Sequence, residues 1–231
     1  MTLRDNAPRA QQAISMFRAL AVVLVLMMGA GFWYINELST GQAPDQIDDT
    51  PLGIMHNLLS LVELIVLVTA GVLFIRWLRR AYWNLHALGR RMEHGEGWAA
   101  GAWFVPFLNL FRPYSIVREV WRHTQLIAFE QVTPHGLLRV WWMVFLLHGF
   151  VSNATGRMDN AATTTEQLQS AAWGNMVTAG LMLATALLTI QVVQRIAGYE
   201  AQVDLRLEVS RIGAPVAVPA EHAEDQSEYE Y

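Results

Sequence analysis

Four stretches of the chain are apolar for long enough to set its architecture. Residues 19–36, 54–77, 137–153 and 171–193 are dominated by Leu, Val, Ala, Ile, Phe and Met, and polar residues collect between them. A helix crosses a hydrocarbon core roughly 30 Å thick with about 20 such residues, so each run predicts a membrane span. The first run competes with a signal-peptide reading. It ends, however, on Gly31-Phe32-Trp33-Tyr34, with aromatic rings where a cleavage site needs small residues. Such rings suit the headgroup level of a bilayer.

The intervening segments carry their own patterns. Gly41, Pro44 and Pro51 break the chain between spans one and two. After span two, Trp77, Arg80, Asn84 and Leu88 recur at three- and four-residue steps, which predicts a helix running on as far as Gly89. Glu93 to Gly97 reads as a turn. Residues 98–111 are apolar and aromatic but short, and Gly101 and Pro106 interrupt them, so a re-entrant or interfacial segment is expected there. Pro113 suits the first turn of a further helix. In that helix Tyr114, Val117, Trp121 and Ala128 share a face, with Arg118, Glu119, Arg122 and His123 opposite. This predicts an amphipathic helix on the membrane surface or under the bundle. Gly180 and Ala184 give span four a small face for close helix contact. Residues 197–231 form a tail, acidic and without arginine from Glu221 to Tyr231, where disorder is expected.

The fold class that follows is all-α: a polytopic integral membrane protein. It is expected to be a four-helix transmembrane bundle with a re-entrant or interfacial segment and a cytoplasmic amphipathic helix. Composition agrees, since 53% of the residues are hydrophobic and only 16% charged, against roughly 25% charged in soluble domains. Orientation is read from arginine, because the chain has no lysine. Three arginines precede span one, eight lie between Arg76 and Arg122, and three follow span four; the loop after span one has none and the loop after span three only Arg157. The positive-inside rule then places both termini and the central segment in the cytoplasm, with 1–18 as an N-terminal cytoplasmic segment. The expected location is the plasma membrane. A five-span rival, in which 98–111 crosses, would put Arg112, Arg118 and Arg122 outside.

Several chemistries are excluded. Without cysteine there is no disulfide, thiolate nucleophile or cysteine metal site. Without lysine there is no lysine Schiff base. His86, Glu93, His94 and Glu96 lie close in sequence but match no ligand motif, so no metal and no cofactor is expected. The net charge of −4 gives no reason to expect a nucleic-acid partner.

Residues 77–124 carry the most specific signal. They read W-L-R-R-A-Y-W-N-L-H-A-L-G, then G-W-A-A-G-A-W-F-V-P-F-L-N-L-F-R-P-Y, then V-R-E-V-W-R. This resembles the bacterial membrane-protein family catalogued as domain of unknown function 4328. The matching positions include Trp77, Arg80, Asn84, Gly97, Trp98, Trp103, Pro106, Asn109, Arg112, Pro113, Glu119 and Trp121. One departure is the Gly95-Glu96 pair before Gly97-Trp98, where the family usually has Ser-Pro. The resemblance implies a helical membrane protein of bacterial type and no particular activity.

Two groups of residues stand out as functional candidates. Arg80, Asn84, Trp98, Trp103, Asn109, Arg112 and Glu119 would form a signature pocket for an anionic group, since the guanidinium fork suits phosphate and carboxylate. The architectural alternative is that these polar groups pair among themselves to lock an irregular segment. The second group centres on Glu63 in span two, with His148 and Asn175 as prospective partners and His56 and Asn57 near the outer mouth. A carboxyl at mid-membrane costs about 2.5–3.5 kcal/mol on insertion scales, so it invites either an ion path or a packing hydrogen bond. The leading function is therefore a membrane scaffold or regulatory subunit, rather than an enzyme. It would bind an anionic membrane lipid or a protein partner through the aromatic–arginine segment. A small channel or transporter using Glu63 is second, and a membrane-embedded lipid-modifying enzyme third. Homo-oligomerisation fits four short spans that enclose little volume.

Overall fold

The computed structural model describes residues 3–41 and 44–212. The acidic end of the tail lies outside the described residues. The elements are α1 (Ala7–Ser39), α2 (Pro44–Asp48), α3 (Pro51–Ala87), α4 (Trp98–Gly101), α5 (Arg112–Phe129), α6 (Gly136–Ala161) and α7 (Thr165–Ile212), with a 3₁₀ turn at Leu108–Leu110. No strand occurs among the described residues. Helices α1, α3, α6 and α7 are long and apolar enough to cross a membrane. The segment between α4 and α5 contains no continuous helix of that length, so the expected count of four is met and the five-span rival is not.

Local chemistry sets the ends. Pro8 and Pro51 sit in the first turns of α1 and α3, where a missing N–H costs nothing. The Thr50 side chain caps α3 by accepting from the Gly53 N–H at 3.0 Å. Helix α3 stops when Gly89 adopts φ 71°, and the Arg90 N–H then closes back onto the Leu85 carbonyl at 3.2 Å. At the end of α5, Arg206 of α7 donates to the Ile127 carbonyl at 2.9 Å and pairs with Glu130, which satisfies a helix C-terminus with a cation.

Helix α1 packs against α3 and α7, and α6 packs against α7 and meets α3 through Trp141 and Phe74, whose ring centroids lie 6.2 Å apart. Helix α5 lies across one end against α7 and α3. The core centres on Phe17, Leu20, Leu24, Phe74, Trp77, Leu78 and Trp141. Outward faces remain apolar. Only 11% of the most apolar stretch of α3 is buried within the protein, and Leu58, Leu61, Leu64, Ile65 and Val68 face away from it. A contiguous face of this kind is a liability in water and an ordinary lipid contact in a bilayer.

The packing of two aromatic residues and one glycine is informative, and the glycine corrects an expectation. Trp141 and Trp142 are buried in the core, at 2% and 7% exposure. Their indole N–H groups donate to Thr189 Oγ1 at 2.9 Å and to the Leu110 carbonyl at 3.1 Å. Those bonds explain the burial, since an aromatic with a polar edge goes inside when the edge finds a partner. Gly180, expected at a close helix contact, has open space where a Cβ would stand. The tight approaches lie at Gly174, facing Thr155, and at Gly53, facing the Ile47 carbonyl.

Candidate functional site

The two ends of the helix bundle differ in charge. Asp48, Asp159 and Tyr34 lie together at one end. The other carries the beginning of α1, the end of α3 and all of α5, and with them most of the arginines.

At the basic end, Arg9 of α1 donates to the Arg76 carbonyl of α3 at 3.2 Å. Partial burial and then the charges of Arg80, Arg76, Arg4 and Arg79 hold the Arg9 guanidinium below its usual value. Five arginines therefore converge where two helices leave the bundle. Asn84 clasps the chain just before α1: its Nδ2 donates to the Arg4 carbonyl at 3.0 Å, and its Oδ1 accepts from the Arg4 N–H at 3.2 Å. The Arg4 guanidinium lies over the Trp83 ring at 3.9 Å.

The irregular segment is positioned by its aromatic residues. Trp103 points inward onto Phe74, Trp142 and Phe145, with ring centroids 5.6–6.2 Å apart. Phe104, Phe107 and Phe111 point outward, at 76%, 81% and 72% exposure. Phe107 holds φ 63°, ψ −40°, a left-handed conformation rare for a bulky residue. Arg112, at the start of α5, stacks on Trp98 at 4.0 Å. Asn109 is exposed on the 3₁₀ turn.

Glu119 departs from its expected place on the polar face of α5. It is buried, at 5% exposure, because Oε2 accepts from the Tyr82 hydroxyl at 2.7 Å and the Glu93 N–H at 3.3 Å. Burial and this carboxylate raise the Tyr82 phenol above its usual value. Burial also pulls the His123 imidazole down. The signature residues thus divide into separate contacts instead of lining one cavity. Arg80 joins the arginine group, Asn84 holds the N-terminal segment, Arg112 and Trp98 stack, Trp103 packs inward, Asn109 faces out and Glu119 ties α5 to Tyr82.

A family model described as Domain of unknown function (DUF4328) matches residues 53–198. The chain belongs to this family. No curated protein and no solved structure matches it. The DUF4328 stretch runs from the first turn of α3 into α7, so α1, which packs against both of those helices, lies outside it.

The DUF4328 helices and α1 also enclose the second candidate. Glu63 lines a cavity of about 420 Å³ together with Asp48, His56, Asp159 and Asn175. Asn175 donates to Asp159 at 2.9 Å, and Tyr34 stacks on His56 with centroids 5.6 Å apart. The expected neighbours Asn175, His56 and Asn57 are there, but His148 is not. It lines a separate apolar cavity of about 170 Å³ with Phe74, Trp103 and Trp141. The sequence reading missed Asn6, Tyr82 and Glu200. Asn6 donates to the Glu200 carboxylate at 3.0 Å across 194 residues, and no local pattern signals a pair so far apart.

Proposed function

We propose that this DUF4328 protein is a membrane scaffold or regulatory subunit whose basic end, on the cytoplasmic face of the plasma membrane, holds anionic lipid headgroups. The observation that carries the reading is the convergence of Arg4, Arg9, Arg76, Arg79 and Arg80, in which Arg9 is held below its usual value first by partial burial and then by the four other charges, while it donates to the Arg76 carbonyl. Like charges gathered at this density call for an anion, and a headgroup phosphate is the one a bilayer edge supplies. The three outward phenylalanines support the same placement. Phe104, Phe107 and Phe111 would enter the headgroup boundary beside Arg112, where apolar rings and a guanidinium both find partners. Juxtamembrane arginines are worth about 1 kcal/mol each toward anionic lipid. Spin-labelled phosphatidylglycerol should therefore associate with the reconstituted protein more strongly than spin-labelled phosphatidylcholine. An Arg76→Gln, Arg80→Gln double variant should lose that preference severalfold while remaining monodisperse. Equal preference in both proteins removes the proposal.

A second reading, a small channel or transporter, is favoured by one observation: Glu63 stands in a cavity that also holds two further carboxylates and an imidazole. It requires water to reach Glu63 from the acidic end. A cysteine placed at Ser60, which lines the same cavity, reports that access.

A further inference from the structure

The loop after α3 brings Glu93 and His94 against Glu119 of α5. One ligand atom from each lies within 4.8 Å of the other two. Two observations set this cluster apart from a chance group of charges. First, Glu119 is 5% exposed, yet only one of its carboxylate oxygens is used; Oε1 has no hydrogen-bond partner among the described residues. A buried carboxylate oxygen left bare is costly. Second, that oxygen faces His94 Nε2 at 3.9 Å, too far for a hydrogen bond and suited to a cation between them. The Tyr82 hydroxyl and the Glu93 N–H hold the other oxygen at 2.7 and 3.3 Å, which fixes the carboxylate's direction as an outer-shell partner does in metal sites.

We propose that Glu93, His94 and Glu119 bind a divalent transition-metal ion of the zinc type, which clamps the loop after α3 to α5. The donor set decides the class. One imidazole and two carboxylates suit zinc and its neighbours, while magnesium and calcium prefer oxygen alone. Ligand distances of about 2.0–2.2 Å require the three donors to draw slightly closer. Glu93, exposed on the loop, is free to supply that movement. His123 lies one turn beyond Glu119 on α5, and its Nδ1 has no hydrogen-bond partner among the described residues. The charges of Glu119 and Glu93 act on it, but its ring nitrogens stand outside the three-ligand group. Three protein ligands leave a position for water.

The test uses the full chain in detergent, purified without a histidine tag and stripped with chelator. Co²⁺ and Zn²⁺ serve as probes. The expected result is one equivalent bound, with Co²⁺ giving visible ligand-field absorption and Zn²⁺ displacing it. His94→Gln should weaken binding at least tenfold. Tyr82→Phe, which keeps all three ligands, should weaken it about 10–100-fold as outer-shell changes do. Absence of a cobalt spectrum in the wild type overturns the proposal and leaves a His94–Glu119 ion pair in its place. Binding that His94→Gln and Glu119→Gln both leave unchanged also overturns it. If Glu119→Gln disturbs folding, His94→Gln on the loop decides the matter alone.

Discussion

Glu200 sits where α1, α3 and α7 meet, beyond the spanning part of α7. Burial raises its carboxyl to about 7, against the opposing pull of the Asn6 amide, which favours the charged form. The folded state therefore prefers Glu200 neutral. Stability from this source is full below the ordinary carboxyl range and is lost as pH rises through about 7. The loss amounts to about 3 kcal/mol at most. Thermal unfolding in detergent between pH 4.5 and 8 should show wild-type stability falling up to about pH 7 and levelling above it. Glu200→Gln should flatten the fall and be the more stable protein above pH 7. Parallel profiles would show that the ionised carboxylate is not disfavoured there. The polar contacts of this junction are illegible in sequence, since neither Asn6 nor Glu200 belongs to a periodic or motif position. Arg112 is the contrasting case: its place one residue before Pro113 marked a helix start, and the structure has α5 begin there.

At the scale of elements, glycine separates what composition suggests from what packing requires. At Gly53 a Cβ would stand 2.2 Å from the Ile47 carbonyl oxygen. That is backbone and cannot rotate away, so α2 must move. Gly53→Ala should cost about 1–3 kcal/mol by overpacking and loosen α2 from α3. Gly180 meets nothing within 4 Å, and alanine there should be neutral or stabilising by about 0.5–1 kcal/mol from helix propensity. Thermal midpoints of the two variants check the contrast. A midpoint drop for Gly180→Ala would instead reveal a second copy packed on that face. Helix α5 teaches the same lesson. Its periodicity marked it as amphipathic, and Val117 and Trp121 are buried as expected. Glu119 is buried as well, because Tyr82 and the loop after α3 cover one edge of the face that looked polar.

For the whole molecule, the packing of α1, α3, α6 and α7 leaves a polar cavity at the acidic end and an irregular aromatic–arginine segment at the other. Orientation decides which compartment each one faces. The chain contains no cysteine, so single cysteines at Asp48, Ser60, Ser115 and Thr164 report it directly. With an impermeant maleimide on intact cells, Asp48, Ser60 and Thr164 should label and Ser115 should not. Labelling of Ser115 in place of Thr164 would put the arginines outside and remove the cytoplasmic placement. Labelling at Asp48 without Ser60 would close the cavity above Glu63, and the transport reading would fall.

The chain alone determined that four helices are long and apolar enough for a bilayer, that the stretch between the second and third is too short and broken to cross, and that residues 77–124 carry a family pattern, within the 53–198 that the family model matches. These properties are local: run length, breakers and periodicity act through the backbone and the solvent around each segment. Tertiary structure decided the rest. It divided the signature residues among separate contacts, buried Trp141 and Trp142, set His148 apart from Glu63 and brought Glu119 to Glu93 and His94. Each of these depends on helix rotation and on which helices are neighbours. Those are fixed by the summed packing of distant faces, and no short window of sequence contains that sum.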